Sequence, residues 1–102
     1  MYSRAIETSD FMANQIRCAH ILVAKESDAK AIIERINKGE SFSKLAEENS
    51  IDGSRKHGGD LGFFGKGIMV KQFETAAFAL ERGQVSGIVK TQFGYHIIKR
   101  LE

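Results

Sequence analysis

The clearest hydrophobic pattern along the chain is a short apolar run at residues 16–24, IRCAHILVA, which is rich in β-branched side chains and contains no glycine. A run of this length and composition predicts a buried strand rather than a helix. Because side chains alternate across a strand, we expect Cys18, His20 and Leu22 on one face and the residues between them on the other.

Three later stretches have the spacing of amphipathic helices. The first is predicted to begin after an N-cap at Ser27 or Asp28 and to end at Gly39. A shorter helix is predicted to follow Ser41, its expected N-cap, and a third to cover residues 70–80. Apolar residues at i, i+3, i+4 and i+7 predict the inward-facing positions: Ala29, Ile32, Ile33, Ile36, Phe42, Leu45, Ala46, Phe73, Ala76, Ala77 and Leu80.

Glycines interrupt the pattern in the middle of the chain. Six of the ten glycines lie between positions 53 and 67, and they predict a structured loop around a short strand at residues 61–64. Two further strands, at residues 84–91 and 95–101, are predicted to end the chain. The predicted order β, α, α, β, α, β, β is typical of an α+β fold with helices packed against a sheet.

The domain organisation that we expect is one domain over residues 14–102, preceded by a tag or disordered extension at residues 1–13, whose pattern does not continue into the strand. Cys18 is the only cysteine, so no intrachain disulfide can form. No apolar run approaches the roughly 20 residues of a membrane span. We expect a monomer, located in the cytoplasm if the chain is complete and outside it if the chain is a domain excised from a longer secreted protein.

The charge balance gives little support to a nucleic-acid partner. Fifteen Lys and Arg side chains against thirteen Asp and Glu leave a net charge of +2, which is small and evenly spread. Binding to an anionic surface stays open as an alternative, and the side chains that would serve it are Lys56, Lys66, Lys71, Lys90 and Lys99.

Three kinds of chemical site are disfavoured by the sequence. A phosphate-binding loop would need a glycine at Asp60 and a serine or threonine at Gly67. A metal site would need more than Cys18 and His20, the only ligand-type residues paired locally on one face. A thiol nucleophile is disfavoured because Cys18 lies in an apolar strand. We therefore predict neither a metal nor a cofactor.

Two histidines, His20 and His96, stand inside the most apolar predicted strands, where a charged imidazolium would be costly to bury. One interpretation is a pair of neutral, hydrogen-bonded core histidines. The other applies if the first and last strands are neighbours, because the two rings would then meet and could orient a third polar group. Asp52, in the loop after the second helix, is the candidate for that group.

Four stretches of the sequence, in this order, are IRCAHILV, GGDLGFFGKGIMV, KQFETAAFAL and TQFGYHIIKR. Together they resemble the parvulin family of peptidyl-prolyl cis/trans isomerases over residues 16–101. The resemblance implies a βα3βαβ2 fold, which is a four-stranded antiparallel sheet surrounded by helices. It also implies rotation about X-Pro bonds by non-covalent stabilisation of the twisted amide, with proline-containing peptides and unfolded or partly folded proteins as partners.

The resemblance also assigns site residues. It places the catalytic group at His20, Asp52, Thr91 and His96, and the proline-binding group at Leu61, Met69, Phe73 and Phe93. The loop after the first strand is too short and too acidic to imply recognition of a phosphate. A non-catalytic chaperone or peptide-binding module of the same fold is the alternative.

Overall fold

A four-stranded antiparallel sheet forms the centre of the structure, a computed structural model that describes residues 14–102. The extension predicted at residues 1–13 lies outside the described residues. The elements, in chain order, are β1 (Gln15–Val23), α1 (Glu26–Asn37), α2 (Phe42–Asn49), a 3-10 helix (Gly53–His57), β2 (Asp60–Gly65), α3 (Lys71–Phe78), β3 (Val89–Thr91) and β4 (Gly94–Arg100).

The strands lie in the order β2-β1-β4-β3, so the first and last strands of the chain are neighbours. In the β1–β4 pair, Leu22 is opposite His96 and His20 is opposite Ile98. The fold class expected from the sequence is confirmed. The neighbouring strands also meet the condition under which the two histidine rings were expected to approach each other.

The two faces of the sheet carry separate hydrophobic clusters, and the expected alternation along β1 is confirmed. On what we call the back face, α1 and α2 pack over the sheet, and the buried residues are Ala19, Ile21, Val23, Ala29, Ile32, Phe42, Leu45, Ala46 and Ile97. On the opposite face, called the site face, they are Ile16, Cys18, Phe64, Phe73, Ala77, Leu80 and Ile98.

The start of α1 differs from the prediction. Neither Ser27 nor Asp28 is its N-cap: the helix begins at Glu26 after Lys25, and no side chain caps it. The chain passes almost directly from β1 into the helix, and two acidic residues in the first turn, Glu26 and Asp28, face the positive end of the helix dipole instead. Ser41 caps α2 as expected, accepting a hydrogen bond from the backbone N–H of Lys44.

Two other elements differ from the predicted ones. The 3-10 helix Gly53–His57 was expected to be loop, because five residues are too few to show a period. The strand predicted at residues 84–91 is regular only over Val89–Thr91. Before it the chain makes one isolated bridge to β4, between Val85 and Lys99, and Ser86 also bonds to β4 with its hydroxyl.

Two adjacent glycines bring the loop that follows the 3-10 helix against β1. Both have positive φ, 67° at Gly58 and 87° at Gly59. A Cβ on Gly59 would lie 2.3 Å from the carbonyl oxygen of His20. The backbone N–H of His20 donates to the carbonyl of Gly59 at 3.0 Å, so this contact fixes the loop beside a predicted site residue.

Candidate active site

A cavity of about 310 Å³ opens on the site face, and all four predicted proline-binding residues line it. They meet there with three of the four predicted catalytic residues. The full lining is His20, Leu22, Asp52, Leu61, Ile68, Met69, Val70, Phe73, Phe93 and His96. The cavity therefore has an apolar wall and one polar side, and that side carries a single carboxylate.

Aromatic contacts connect the apolar wall to the histidines. Phe73, on the buried side of α3, is 3% exposed. Its ring lies edge-on to both imidazoles, with centroid distances of 5.5 Å to His20 and 5.3 Å to His96. Phe93 lies in the turn between β3 and β4, is 59% exposed, and forms the rim of the cavity.

The two histidines are in direct contact, as the second interpretation of the sequence requires. Their Nδ1 atoms are 3.0 Å apart, and both side chains are buried. On the far side of His96, Nε2 lies 2.7 Å from Oγ1 of Thr91. Thr91 in turn accepts a hydrogen bond from the backbone N–H of Phe93 at 3.1 Å. Thr91 therefore supports the histidine pair from behind and does not line the cavity itself.

Asp52 lies at the other end of this chain of polar groups. Its Oδ2 is 3.1 Å from Nε2 of His20, but the approach is not aligned for a hydrogen bond. The backbone N–H of Ser54 donates to the same oxygen at 2.9 Å. Burial would raise the pKa of Asp52, but hydrogen bonding from Ser54 and the contact with His20 outweigh it and lower the pKa to about 2. The carboxylate is therefore ionised at neutral pH.

Burial, reinforced by the neighbouring His20, lowers the pKa of His96 to about 4, although the Asp52 charge opposes the change. A neutral His96 fits one order of donors and acceptors along this chain of polar groups. His20 accepts from His96 at Nδ1, and its Nε2 lies 3.1 Å from the Asp52 carboxylate without an aligned hydrogen bond. His96 then accepts from the Thr91 hydroxyl, and the Thr91 oxygen accepts from the N–H of Phe93. Among the residues that line the cavity, Asp52 supplies the one carboxylate.

Other chemistries find less support among residues 14–102. Cys18 is fully buried in the site-face core, and burial raises the pKa of its thiol to about 11. That thiol is neither exposed nor ionised at neutral pH. In the same residues, no group of three or more His, Cys, Asp or Glu side chains is arranged to hold a metal ion.

A second, larger cavity of about 460 Å³ lies on the other side of the sheet. Its acidic residues are already paired, Glu40 with Arg35 and Asp60 with Arg17. It contains neither the histidine pair nor Asp52. The larger cavity therefore lacks the histidine and carboxylate groups of the smaller one, although its volume is greater.

Sequence reasoning missed several residues of the site. Leu22, Ile68 and Val70 also line the cavity. Ile68 is 70% exposed and belongs to no periodic apolar face. Its position beside Met69 in GKGIMV is therefore the only signal for it in the sequence. Ser54 lies in the stretch predicted as a structured loop and was not among the predicted site residues, yet its backbone N–H donates to Asp52.

None of the helices in the described part of the chain is both long enough and apolar enough to span a lipid bilayer.

Known proteins with similar sequences and folds share this architecture. Residues 3–102 match the family of the PPIC-type PPIase domain. The foldase protein PrsA of Geobacillus kaustophilus is 58% identical over 86 residues, which are 83% of this chain and 31% of that protein. The chain thus spans about a third of the length of this relative.

Two solved structures extend the comparison. The crystal structure of PrsA from Bacillus subtilis superposes with a TM-score of 0.88 at 47% identity, over 94% of this chain and 38% of that one. The solution structure of NmPin, the parvulin of Nitrosopumilus maritimus, superposes with a TM-score of 0.79 at 59% identity, over 87% of this chain and 97% of that one. The chain therefore belongs to the parvulin family, that of the PPIC-type peptidyl-prolyl isomerase domain.

Proposed function

We propose that this domain accelerates cis/trans isomerisation of X-Pro peptide bonds without forming a covalent bond to the substrate. One observation carries the proposal: an apolar cavity large enough for a proline ring has a single carboxylate, Asp52, beside a buried pair of imidazoles. An X-Pro bond resists rotation by roughly 18–20 kcal/mol because its amide resonance must be lost. A thousandfold acceleration requires about 4 kcal/mol of preference for the twisted amide.

The apolar wall is the first source of that preference. Leu61, Met69 and Phe73 would bind the pyrrolidine ring through its apolar surface, so that the ring stays in place while the preceding carbonyl turns. The wall also removes water from the peptide bond. The twisted amide has less charge separation than the planar one, so a dry environment favours it.

The polar side of the cavity is the second source. The low pKa of Asp52 supports an ionised carboxylate, which repels a carbonyl oxygen that approaches it in a planar position and so favours rotation away from the plane. His20, held by His96 and Thr91, would keep that carboxylate in place. The buried, un-ionised Cys18 offers no support for covalent attack.

The substrates that we propose are proline-containing peptides and unfolded or partly folded chains. The residues that line the cavity include no lysine or arginine, and the short segment after β1 has Lys25 next to acidic Glu26 and Asp28. A phosphate before proline would therefore meet the Asp52 carboxylate without a basic partner. We expect unmodified X-Pro segments to be preferred.

Chaperone-like binding without turnover is the second candidate function, and a specific feature favours it. Ile51, Ile68 and Phe93 are large apolar side chains that are 61%, 70% and 59% exposed. Two of them line the cavity and the third precedes Asp52 in sequence. Such a surface suits unfolded chains with or without proline, and a relative of this chain is named a foldase.

An isomerisation assay on short X-Pro peptides separates the two candidates. We expect the wild-type protein to accelerate exchange, Phe73→Ala to lose most of the activity, and Asp52→Asn to lower kcat/KM at least about tenfold. Asp28→Asn makes the same chemical change at an exposed position of α1 and should keep wild-type activity. Binding of the peptides without faster exchange would contradict the enzyme proposal and favour the chaperone.

Other expectations from the sequence stay predictions, namely the monomeric state, the dependence of location on whether the chain is complete, and the weak alternative of an anionic surface. If the lysines serve such a surface, binding to anionic vesicles should fall steeply with added salt.

A further inference from the structure

Ser50 is a buried serine outside the cavity, at the point where α2 ends and the segment that carries Asp52 begins. The residue is 1% exposed. Its backbone N–H donates to the carbonyl of Ala46 at 2.9 Å, which closes the last turn of α2. The helix therefore fixes the position of Ser50 from one side.

The Ser50 hydroxyl joins this segment to β1. Its oxygen accepts the backbone N–H of Leu22 at 3.1 Å and that of Asp52 at 3.3 Å. Between these two bonds, the N–H of Ile51 donates to the carbonyl of Leu22 at 2.8 Å. Since β2 pairs with β1 only as far as Ala19, this segment takes the place of a strand along the remaining edge of β1.

The Asp52 carboxylate itself is held less firmly than the backbone of this segment. Its aligned hydrogen bond comes from the nearby Ser54 N–H, while its contact with His20 Nε2, at 3.1 Å, is misaligned. The side chain of Asp52 is 35% exposed. The backbone position of Asp52 therefore decides where the carboxylate lies relative to His20.

We propose that Ser50 is a positioning residue for the isomerase reaction: its hydroxyl docks the backbone of Asp52 on β1 and so holds the carboxylate beside His20 at the cavity. The inference rests on the proposed function. Ser50 does not line the cavity, so it acts through Asp52 rather than on the substrate.

Replacing Ser50 with alanine tests this role. Ser50→Ala removes the acceptor for two backbone N–H groups, and we expect kcat/KM to fall about tenfold because the carboxylate shifts. Peptide affinity should stay within about twofold, since the apolar wall is unchanged. Ser86→Ala is the matched control: its hydroxyl also accepts a backbone N–H, from Ile98 at 2.9 Å, but it makes no hydrogen bond to the segment that carries Asp52. It should keep kcat/KM within about twofold.

Coupling between the two residues distinguishes positioning from a general structural effect. In an Asp52→Asn background, Ser50→Ala should cause less than a further twofold loss of kcat/KM. A tenfold loss in both backgrounds, or wild-type activity in the single variant, would overturn the proposal. If Ser50→Ala does not fold, Ser50→Cys keeps a side chain of similar shape with a weaker acceptor, and its kcat/KM should fall between those of wild type and Asp52→Asn.

A titration of the Asp52 carboxyl carbon by NMR decides the role of Ser50 independently of activity. In Ser50→Ala the pKa of Asp52 should rise from about 2 toward its ordinary value, while Ser86→Ala leaves it unchanged. An unchanged pKa in Ser50→Ala would overturn the positioning role. If the wild-type protein does not accelerate isomerisation, the proposed function fails, and this titration still decides whether Ser50 positions Asp52.

Discussion

The two faces of the sheet bury side chains from the same strands in different ways. On the back face, β1 contributes Ala19, Ile21 and Val23 to a core whose buried members are all apolar. On the site face, it contributes Cys18 to a second apolar cluster, but also His20, which is 4% exposed. Alternate positions of one strand thus serve packing on one side and a polar site on the other.

The difference shows what a fold needs in order to keep polar groups inside. An unpaired buried polar group costs about 1–3 kcal/mol. On the site face, His20, His96 and Thr91 bond to one another, and their chain ends at a half-exposed carboxylate beside the cavity. The buried residues of the back face are all apolar and need no such partners. The site therefore lies where the buried histidine side chains border the cavity.

We expect the largest effect from a substitution on the site face, and a matched substitution on the back face tests whether the two faces have separate roles. Phe73→Ala should lower the free energy of unfolding by about 3–5 kcal/mol and kcat/KM about a hundredfold, because Phe73 packs in the site-face core and also forms the cavity wall. Urea unfolding and the peptide assay measure the two effects, with activity expressed per folded molecule.

Ile32→Ala is the matched change on the back face. Ile32 is 4% exposed in α1, and its loss should cost about 2–5 kcal/mol of stability while kcat/KM stays within about twofold. If Ile32→Ala lowers activity as much as Phe73→Ala, the separation of the two faces is wrong.

A smaller effect concerns the pH dependence of stability. The pKa of His96 is about 4 in the folded protein against 6.5 ordinarily, so between these values the unfolded chain binds more protons than the folded one. The free energy of unfolding should therefore fall as pH falls through this window, and His96 should account for about 2 kcal/mol of the loss between pH 7 and 4.5.

Urea unfolding at the two pH values, on wild type and His96→Asn, measures that loss. The histidine variant should show a shallower fall with pH, and His57→Asn, which removes an exposed imidazole, is the control. Asp52 does not contribute in this window, because its low pKa affects stability only at more acidic pH. An equally steep fall in His96→Asn would contradict a neutral, buried His96.

The smallest expected effect is at the rim of the cavity. Ile68 is 70% exposed, so Ile68→Ser should change stability by less than about 0.5 kcal/mol. It should leave the isomerisation rate of a short peptide nearly unchanged and weaken binding of an unfolded protein, measured by suppression of aggregation. Equal loss of both activities would show that Ile68 belongs to the ring-binding wall instead of a separate apolar rim.

Periodicity predicted the parts of the fold that depend on burial alone. The faces of β1 and the inward residues Ala29, Ile32, Phe42 and Leu45 follow from spacing, because each element must bury one side. The start of α1 did not follow, since no side chain caps it and the acidic residues Glu26 and Asp28 in its first turn face the positive end of the helix dipole instead. The 3-10 helix was too short to produce a period.

The arrangement of the site could not be predicted from the spacing of residues along the sequence. Two histidines 76 positions apart meet only because β1 and β4 are neighbours, and strand order is not readable from alternation. The resemblance to the parvulins supplied this pairing and seven of the ten cavity residues. It did not point to Ser50, whose role depends on two backbone N–H groups, of Leu22 and Asp52, that only the folded chain brings together.

In the proposed mechanism, the cavity holds the proline ring while the preceding peptide unit rotates. Exchange NMR on an X-Pro peptide with a small amount of the protein tests it most directly, combined with intermolecular contacts measured at saturation. We expect exchange cross-peaks between cis and trans forms, and contacts from the ring protons of both isomers to Met69 and Phe73. Ring contacts elsewhere on the domain, or binding without exchange cross-peaks, would contradict it.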